Sequence, residues 1–183
     1  MTGTLLPGGF RRRQNGRDAS GRGRGQSLVE FALVFPILAL VLFGTLQYGL
    51  YFFDTLGMRQ GVREAARQGV VENYGDQSSC GMTYATTPSA NIAKLMCRAE
   101  TDVNAMTGDT SVKVLLPGGW VRGQELVVCG MIKADRLPGL VPLPEDRMIR
   151  WSSRMSIEVA APRQTETGGA EVLPAGASWT WCA

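Results

Sequence analysis

The sequence predicts an α+β protein, in which a long N-terminal transmembrane helix extends into a small exported domain of one helix packed on an antiparallel sheet. Three patterns predict this fold class. An apolar run extends over residues 28–53, apolar residues recur at helical spacing over residues 92–106, and apolar and polar residues alternate over residues 149–159. The first pattern is long enough to cross a membrane, and each of the other two describes an element with one buried face.

The apolar run of residues 28–53 predicts a membrane-spanning helix. Hydrocarbon about 30 Å thick is crossed by roughly 20 residues, because each helical residue adds about 1.5 Å. Glu30 is the one charged residue inside the run, and a carboxylate is costly there. Pro36 removes a backbone hydrogen bond and kinks the helix, which suits a helix that bends within a bundle of neighbours.

The charges that flank the run predict its orientation. Six arginines precede it (Arg11, Arg12, Arg13, Arg17, Arg22 and Arg24), opposed by Asp18 alone. By the positive-inside rule, the N-terminus lies in the cytoplasm and the chain after residue 53 is exported across the cell membrane. The leader has a net charge of +5 and the whole chain has +3. The exported part is therefore slightly acidic, at −2. Nucleic acid is therefore not an expected partner.

Three kinds of N-terminal segment compete for this pattern. A secretory signal peptide has a shorter apolar region, of about 7–15 residues, and an Ala-x-Ala-like cleavage site that is missing here. An uncleaved anchor explains length and orientation but gives Glu30 no role. A prepilin-type signal is cleaved after Gly25 on the cytoplasmic side, so that Glu30 can neutralise the new α-amino group of Gln26 in a neighbouring subunit. Alternatively, Glu30 only reaches the headgroup zone.

Short motifs around the apolar run resemble a known family. They are Gly25, Val29-Glu30-Phe31-Ala32, Pro36 and Glu64-Ala65-Ala66-Arg67-Gln68-Gly69. With them, residues 24–70 resemble the TadE-like family of minor pilins, or pseudopilins, of bacterial tight-adherence (Flp-type) pilus and secretion systems. The resemblance implies an assembly component rather than an enzyme. It also implies processing by a prepilin peptidase, contacts with other pilin subunits and the pilus assembly machinery, and no cofactor.

The helix is expected to continue beyond the membrane. Small residues recur every fourth position at Gly57, Gly61, Ala65 and Gly69, a stripe that lets a second backbone approach closely. Each glycine weakens a solvated helix by about 1 kcal/mol relative to alanine, and close packing would offset that cost. The packing partner is either the protein's own domain or another subunit, and the sequence leaves both open.

Residues 73–183 predict the exported domain, after a cytoplasmic leader (residues 1–25) and a transmembrane and stalk helix (residues 26–72). Thr87 and Pro88 predict the start of a helix, which Gly108 closes. Strands are expected at residues 111–116, 125–133 and 149–159, with a proline-rich connection at residues 137–144. The third strand shows the clearest alternation.

Four cysteines lie on the exported side, where disulfides persist: Cys80, Cys97, Cys129 and Cys182. Three pairings are possible, and proximity in sequence favours Cys80 with Cys97 and Cys129 with Cys182. CxxC spacing and histidine are both missing, so we expect no metal site and no histidine-dependent catalysis. Besides the pilin interpretation, two alternatives stay open. One is an uncleaved single-pass anchor with an extracellular binding domain, and the other is a membrane-tethered hydrolase without histidine.

Overall fold

A computed structural model describes residues 20–74, 80–137, 142–143, 147–159, 166 and 168–182 of the chain, with only the backbone for Ser20–Arg24. The leader up to residue 19 and most of the predicted proline-rich connection lie outside the described residues. The elements are α1 (Ser20–Val70), β1 (Tyr84–Thr86), α2 (Ala90–Val103), β2 (Asp109–Leu115), β3 (Glu125–Lys133), β4 (Met148–Ser156) and β5 (Gly169–Glu171). The chain divides into two compact units, Met1–Val41 and Leu42–Ala183.

The five strands form one sheet in the order β1-β5-β2-β3-β4, and every neighbouring pair is antiparallel. β3 lies between β2 and β4 and pairs with each along seven or more residues. With one long N-terminal helix, one further helix and this sheet, the predicted α+β class is confirmed.

In the first unit, α1 continues past Pro36 without a break, and apolar residues lie on every face of the helix. The large apolar side chains of residues 28–46 are all exposed, from 50% for Phe35 to 71% for Leu33. A helix that is apolar all round is stable only inside an apolar environment, such as a bilayer or a bundle of similar helices.

In the second unit, the later part of α1 and α2 share one hydrophobic core with the sheet. Met58 and Val62 of α1 lie against Gly130 of β3, where an added Cβ would collide with both side chains. Leu95 of α2 and Leu126 of β3 are fully buried in the same core. On the opposite face of β3, Val127 and Cys129 pack with the C-terminal segment around Cys182. β3 is therefore covered on both faces, which is why it is apolar almost throughout.

The start and end of α2 differ from the prediction. The N-cap is Ser89, whose hydroxyl accepts from the Ile92 N–H at 3.5 Å, and Thr87 lies outside the helix. The helix ends at Asn104, which adopts the left-handed conformation with φ 45°, before Gly108 is reached. The expected Thr87 cap and Gly108 stop were therefore wrong, because serine and asparagine nearer the apolar repeat perform both roles.

Alternation in β4 follows the sequence pattern. Ile149, Ser153 and Ile157 are buried, whereas the arginines and serines between them are exposed. The regular strand ends at Ser156, although the Ile157 N–H still donates to the Gln124 carbonyl at 2.9 Å.

Candidate functional site

The predicted processing residues, Gly25 and Gln26, lie just before the exposed apolar segment of residues 28–46, and the predicted assembly residues, Glu30 and Pro36, lie inside it. The Gln26 side-chain amide donates to Glu30 Oε1 at 3.2 Å, one turn apart along the exposed helix surface. Gly25 has open space around it, because an added Cβ would meet no atom within 4 Å. Nothing in the packing of the described residues therefore requires glycine at position 25 or a carboxylate at position 30.

The part of α1 that is exposed on every side is shorter than the apolar run. Within the described residues, α1 is the helix long and apolar enough to cross a membrane, which indicates a membrane anchor. The side chains of Gln47 and Tyr51, however, are only 2% and 8% exposed, because the sheet-containing unit covers them. Residues 28–46 alone are exposed on all sides, and they extend over about 28 Å at 1.5 Å per residue. This length still matches hydrocarbon about 30 Å thick.

The small-residue stripe of α1 contacts the protein's own domain. An added Cβ at Gly61 would lie 2.7 Å from Val103 Cγ2, and one at Gly57 would lie 2.9 Å from the Val103 carbonyl oxygen. At Gly69 the Cβ would lie 2.7 Å from Leu126 of β3. Ala65, the fourth member of the stripe, is fully buried. The sequence left two packing partners open for the stripe. In the structure it packs against the protein's own domain, on α2 and the sheet.

The same contacts explain the motif at residues 64–69. Arg67 forms a bidentate ion pair with Glu64, with N–O distances of 2.9 and 2.6 Å, on the exposed side of α1. Ala65 and Ala66 are buried on the opposite side, where larger side chains would hold the helix away from the core. Gly69 then admits the leucines of α2 and β3. The small residues of the motif therefore form the face of α1 that packs against its own domain.

Asp54 anchors α1 to the segment after α2 and was missed in the sequence. Its carboxylate is fully buried and accepts from the Met106 N–H at 3.0 Å and the Thr107 N–H at 2.7 Å. The Thr107 hydroxyl donates to the same carboxylate. In the sequence, Asp54 is simply the first polar residue after the apolar run, and its partners lie more than fifty positions away.

Two disulfides join the cysteines. Cys80 pairs with Cys97 of α2 at a Cα–Cα distance of 5.3 Å, and Cys129 of β3 pairs with Cys182 at 6.1 Å. These are the pairs that proximity in sequence favours. The first ties the segment before β1 to α2, and the second ties the C-terminal segment to the centre of the sheet.

Among the described carboxyl groups of the sheet, Glu171 has the pKa that departs most from its usual value. Burial raises the pKa of Glu171 to about 7, although the Val112 N–H, which donates at 2.6 Å, works in the opposite direction. The nearby negative charge of Glu100 contributes to the rise. Burial and the charge of Asp109 raise the pKa of Glu100 as well. Glu171 thus caps a backbone donor where β5 leaves β2, a structural use of a carboxyl group.

Together, these features define a protein with a long apolar helix, which indicates a membrane anchor, and a disulfide-linked α+β domain. Residues 25–67 match the family model described as TadE-like protein, which confirms the resemblance seen in the motifs between Gly25 and Arg67. A TadE-like segment indicates a component associated with a tight-adherence pilus. No curated protein and no solved structure matches the chain.

Proposed function

We propose that this protein is a minor pilin or pseudopilin of a tight-adherence pilus. A prepilin peptidase cleaves it after Gly25, and α1 anchors it with its C-terminal domain outside the membrane. The observation that carries the proposal is the TadE-like match, which begins at Gly25 and includes Glu30 and the exposed apolar segment. The role is one of assembly rather than catalysis.

The open space around Gly25 supports processing at this position. Gly57, Gly61 and Gly69 are explained by contacts within the domain, whereas Gly25 is not. Gly49 has equally open space, but only Gly25 stands at the start of the TadE-like match, where close approach of a peptidase active site to the backbone would require glycine. Glycine also weakens the helix by about 1 kcal/mol relative to alanine, which favours the local opening that backbone cleavage needs.

Exposure along α1 supports residues 28–46 as the proposed surface for contacts with other subunits. Because the stripe from Gly57 to Gly69 is occupied by the protein's own core, the exposed residues 28–46 are the part of α1 left for helix bundling. Pro36 lies within this segment and has its side chain exposed. Neighbouring helices in the bundle would cover these apolar side chains when the subunit leaves the lipid.

Glu30 would supply the electrostatic contact in such a bundle. In a low-dielectric bundle, a carboxylate attracts the α-amino group of a neighbouring Gln26 far more strongly than in water. Either charge alone would be costly to bury, so the pair selects a definite stagger between subunits. Within one chain, the Gln26 amide already lies at hydrogen-bond distance from Glu30, which leaves the carboxylate on the exposed surface.

Processing is tested by intact-mass measurement of membrane-extracted protein from cells with an active prepilin peptidase. The wild type should lack the 25 leader residues, whereas Gly25→Leu should retain them. Gly49→Leu is the matched control, since Gly49 is on the same helix and an added Cβ there also meets nothing within 4 Å. A wild-type chain that keeps its leader would contradict the proposal and favour the uncleaved anchored binding protein.

Assembly is tested separately with Glu30→Ala and the closer mimic Glu30→Gln. Both should be cleaved and remain in the membrane, but neither should co-purify or cross-link with other pilin subunits. Normal co-assembly of both variants would mean that Glu30 lies only in the headgroup zone. The bundle argument would then fail even if cleavage occurs.

A further inference from the structure

A cavity of about 300 Å³ lies between α1 and the edge strand β4 in the second unit. Tyr51, Phe52 and Arg59 contribute to one wall, and Arg150 and Trp151 contribute to the other. The cavity plays no part in the processing or bundling proposed above. Along α1, the side chains that line the cavity change from aromatic to cationic.

Each wall of the cavity contributes one arginine, Arg59 from α1 and Arg150 from β4. The Arg59 guanidinium lies 4.2 Å from the centroid of the Trp151 ring, which holds it in a cation–π contact. Both Arg59 and Arg150 are exposed, and no carboxylate in the described part of the chain lies within 4.0 Å of either guanidinium. The cavity therefore has a net positive lining.

Hydrogen-bond donors also predominate at this place. Among the described residues, the buried Nε1 of Trp151 has no hydrogen-bond acceptor. A neighbouring cavity of about 210 Å³ shares Arg150 and Trp151 and adds Ser152 and Trp181. The buried Nε1 of Trp181 likewise lacks an acceptor within the described residues. Guanidinium groups only donate hydrogen bonds, so a ligand of Arg59 and Arg150 must be rich in acceptor oxygens.

The apolar end of the cavity lies at the end of the predicted membrane segment. Phe52 is 60% exposed, and the neighbouring Phe53 and Leu56 are also exposed apolar residues. Arg59 is seven residues beyond Phe52, or about 10 Å along a helix, and helical side chains lean back toward the N-terminus. Exposed apolar side chains extend along α1 from Leu28 to Leu56, about 42 Å at 1.5 Å per residue. A bilayer with both headgroup regions is about 40–45 Å thick, so the change from apolar to cationic lining falls in the outer headgroup region.

We propose that this cavity binds the phosphodiester headgroup of a phospholipid from the bilayer in which α1 is anchored. Arg59 and Arg150 bind the phosphate oxygens, since the planar fork of guanidinium fits phosphate geometry, and Phe52 lies against the acyl chains. Bound lipid would hold the exported domain at the membrane surface before the subunit is extracted. The proposal rests on the anchoring and orientation given above, but not on cleavage or pilus assembly.

The test uses the full chain, purified in an uncharged detergent and titrated with phosphatidylglycerol or phosphatidylcholine in mixed micelles. Native mass spectrometry counts the lipid molecules retained. We expect one retained phosphatidylglycerol, and retention should fall by about tenfold or more in the double variant Arg59→Gln/Arg150→Gln, since charge-assisted contacts are lost. The matched control, Lys94→Gln/Arg122→Gln, removes the same charge outside both cavities and should retain lipid as the wild type does.

A second variant separates the arginine fork from net charge. Arg59→Lys/Arg150→Lys keeps both charges and should give intermediate retention, and near-ultraviolet circular dichroism checks that every variant is folded. Equal retention by the pocket and control variants would overturn the site. Displacement of the lipid by inorganic phosphate at the same concentration would show a free-anion site and overturn the lipid assignment. Unchanged lipid retention with loss of cross-links to another subunit would show a protein interface instead. Lipid retention is measured on uncleaved protein too, so failure of pilin processing leaves this test intact.

Discussion

Removal of the Asp54 carboxylate should release α1 from the segment after α2. Asp54→Ala leaves the half-buried Met106 N–H, the buried Thr107 N–H and the Thr107 hydroxyl without their acceptor. Hydrogen bonds to a charged group contribute about 1.5–3 kcal/mol each, but the three share one carboxylate and are not additive. We therefore expect the free energy of unfolding to fall by about 3 kcal/mol, which corresponds to a Tm lower by roughly 10 °C for a unit of this size.

Thermal unfolding of the oxidised full chain in detergent, followed by near-ultraviolet circular dichroism, measures this loss. Asp54→Asn keeps the shape and one acceptor oxygen, so its Tm should lie between those of the wild type and Asp54→Ala. The matched control is Asp135→Ala, whose exposed carboxylate pairs with Lys133 and should change stability by less than about 0.5 kcal/mol. If Asp54→Ala and Asp135→Ala unfold at the same temperature, Asp54 does not anchor α1 and the reasoning is wrong.

Three further outcomes are expected. Gly61→Leu should destabilise the domain by about 1–3 kcal/mol through overpacking, whereas Gly49→Leu should not; equal Tm values would contradict the close helix contact. The raised pKa of Glu171, about 7 against 4.5, favours the folded state when the carboxyl is protonated, so stability should fall as pH rises from about 4.5 to about 7. Glu171→Gln should flatten this slope in a pH series of Tm measurements, and an unchanged slope would count against it. Replacing Cys129 and Cys182 by alanine should cost about 4 kcal/mol, given a separation of 53 residues, and a near-normal Tm would show that the bridge contributes little.

Local patterns in the sequence predicted both helices and the strands β2, β3 and β4, because periodicity follows from backbone geometry alone. They missed β1 and β5, since three residues are too few to show a period. The alternation before and after Ser153 predicted the buried face of β4, and the long apolar run predicted an exposed apolar helix. The cap at Ser89 was missed because several residues near residue 88 can cap a helix. Which of them does so depends on where the apolar face of α2 meets the core.

The same distinction between local sequence patterns and tertiary contacts applies to the candidate site. Gly25, Glu30 and the apolar residues around Pro36 form a contiguous motif, so the sequence by itself determined the TadE-like segment and the membrane anchor. Their proposed partners are lipid, a peptidase and other subunits, and none of these is part of the fold. For that reason, folding the chain adds little to what these residues already indicate.

Tertiary structure decided every contact between positions far apart in the chain. Periodicity shows that one side of α1 is packed, but not that Gly61 packs on Val103, that Asp54 accepts from Thr107, or that Arg59 lies over Trp151. Such pairs form because the sheet and α2 bring distant segments within a few ångströms. Close approach is a property of the whole packed core, so no local stretch of sequence contains it.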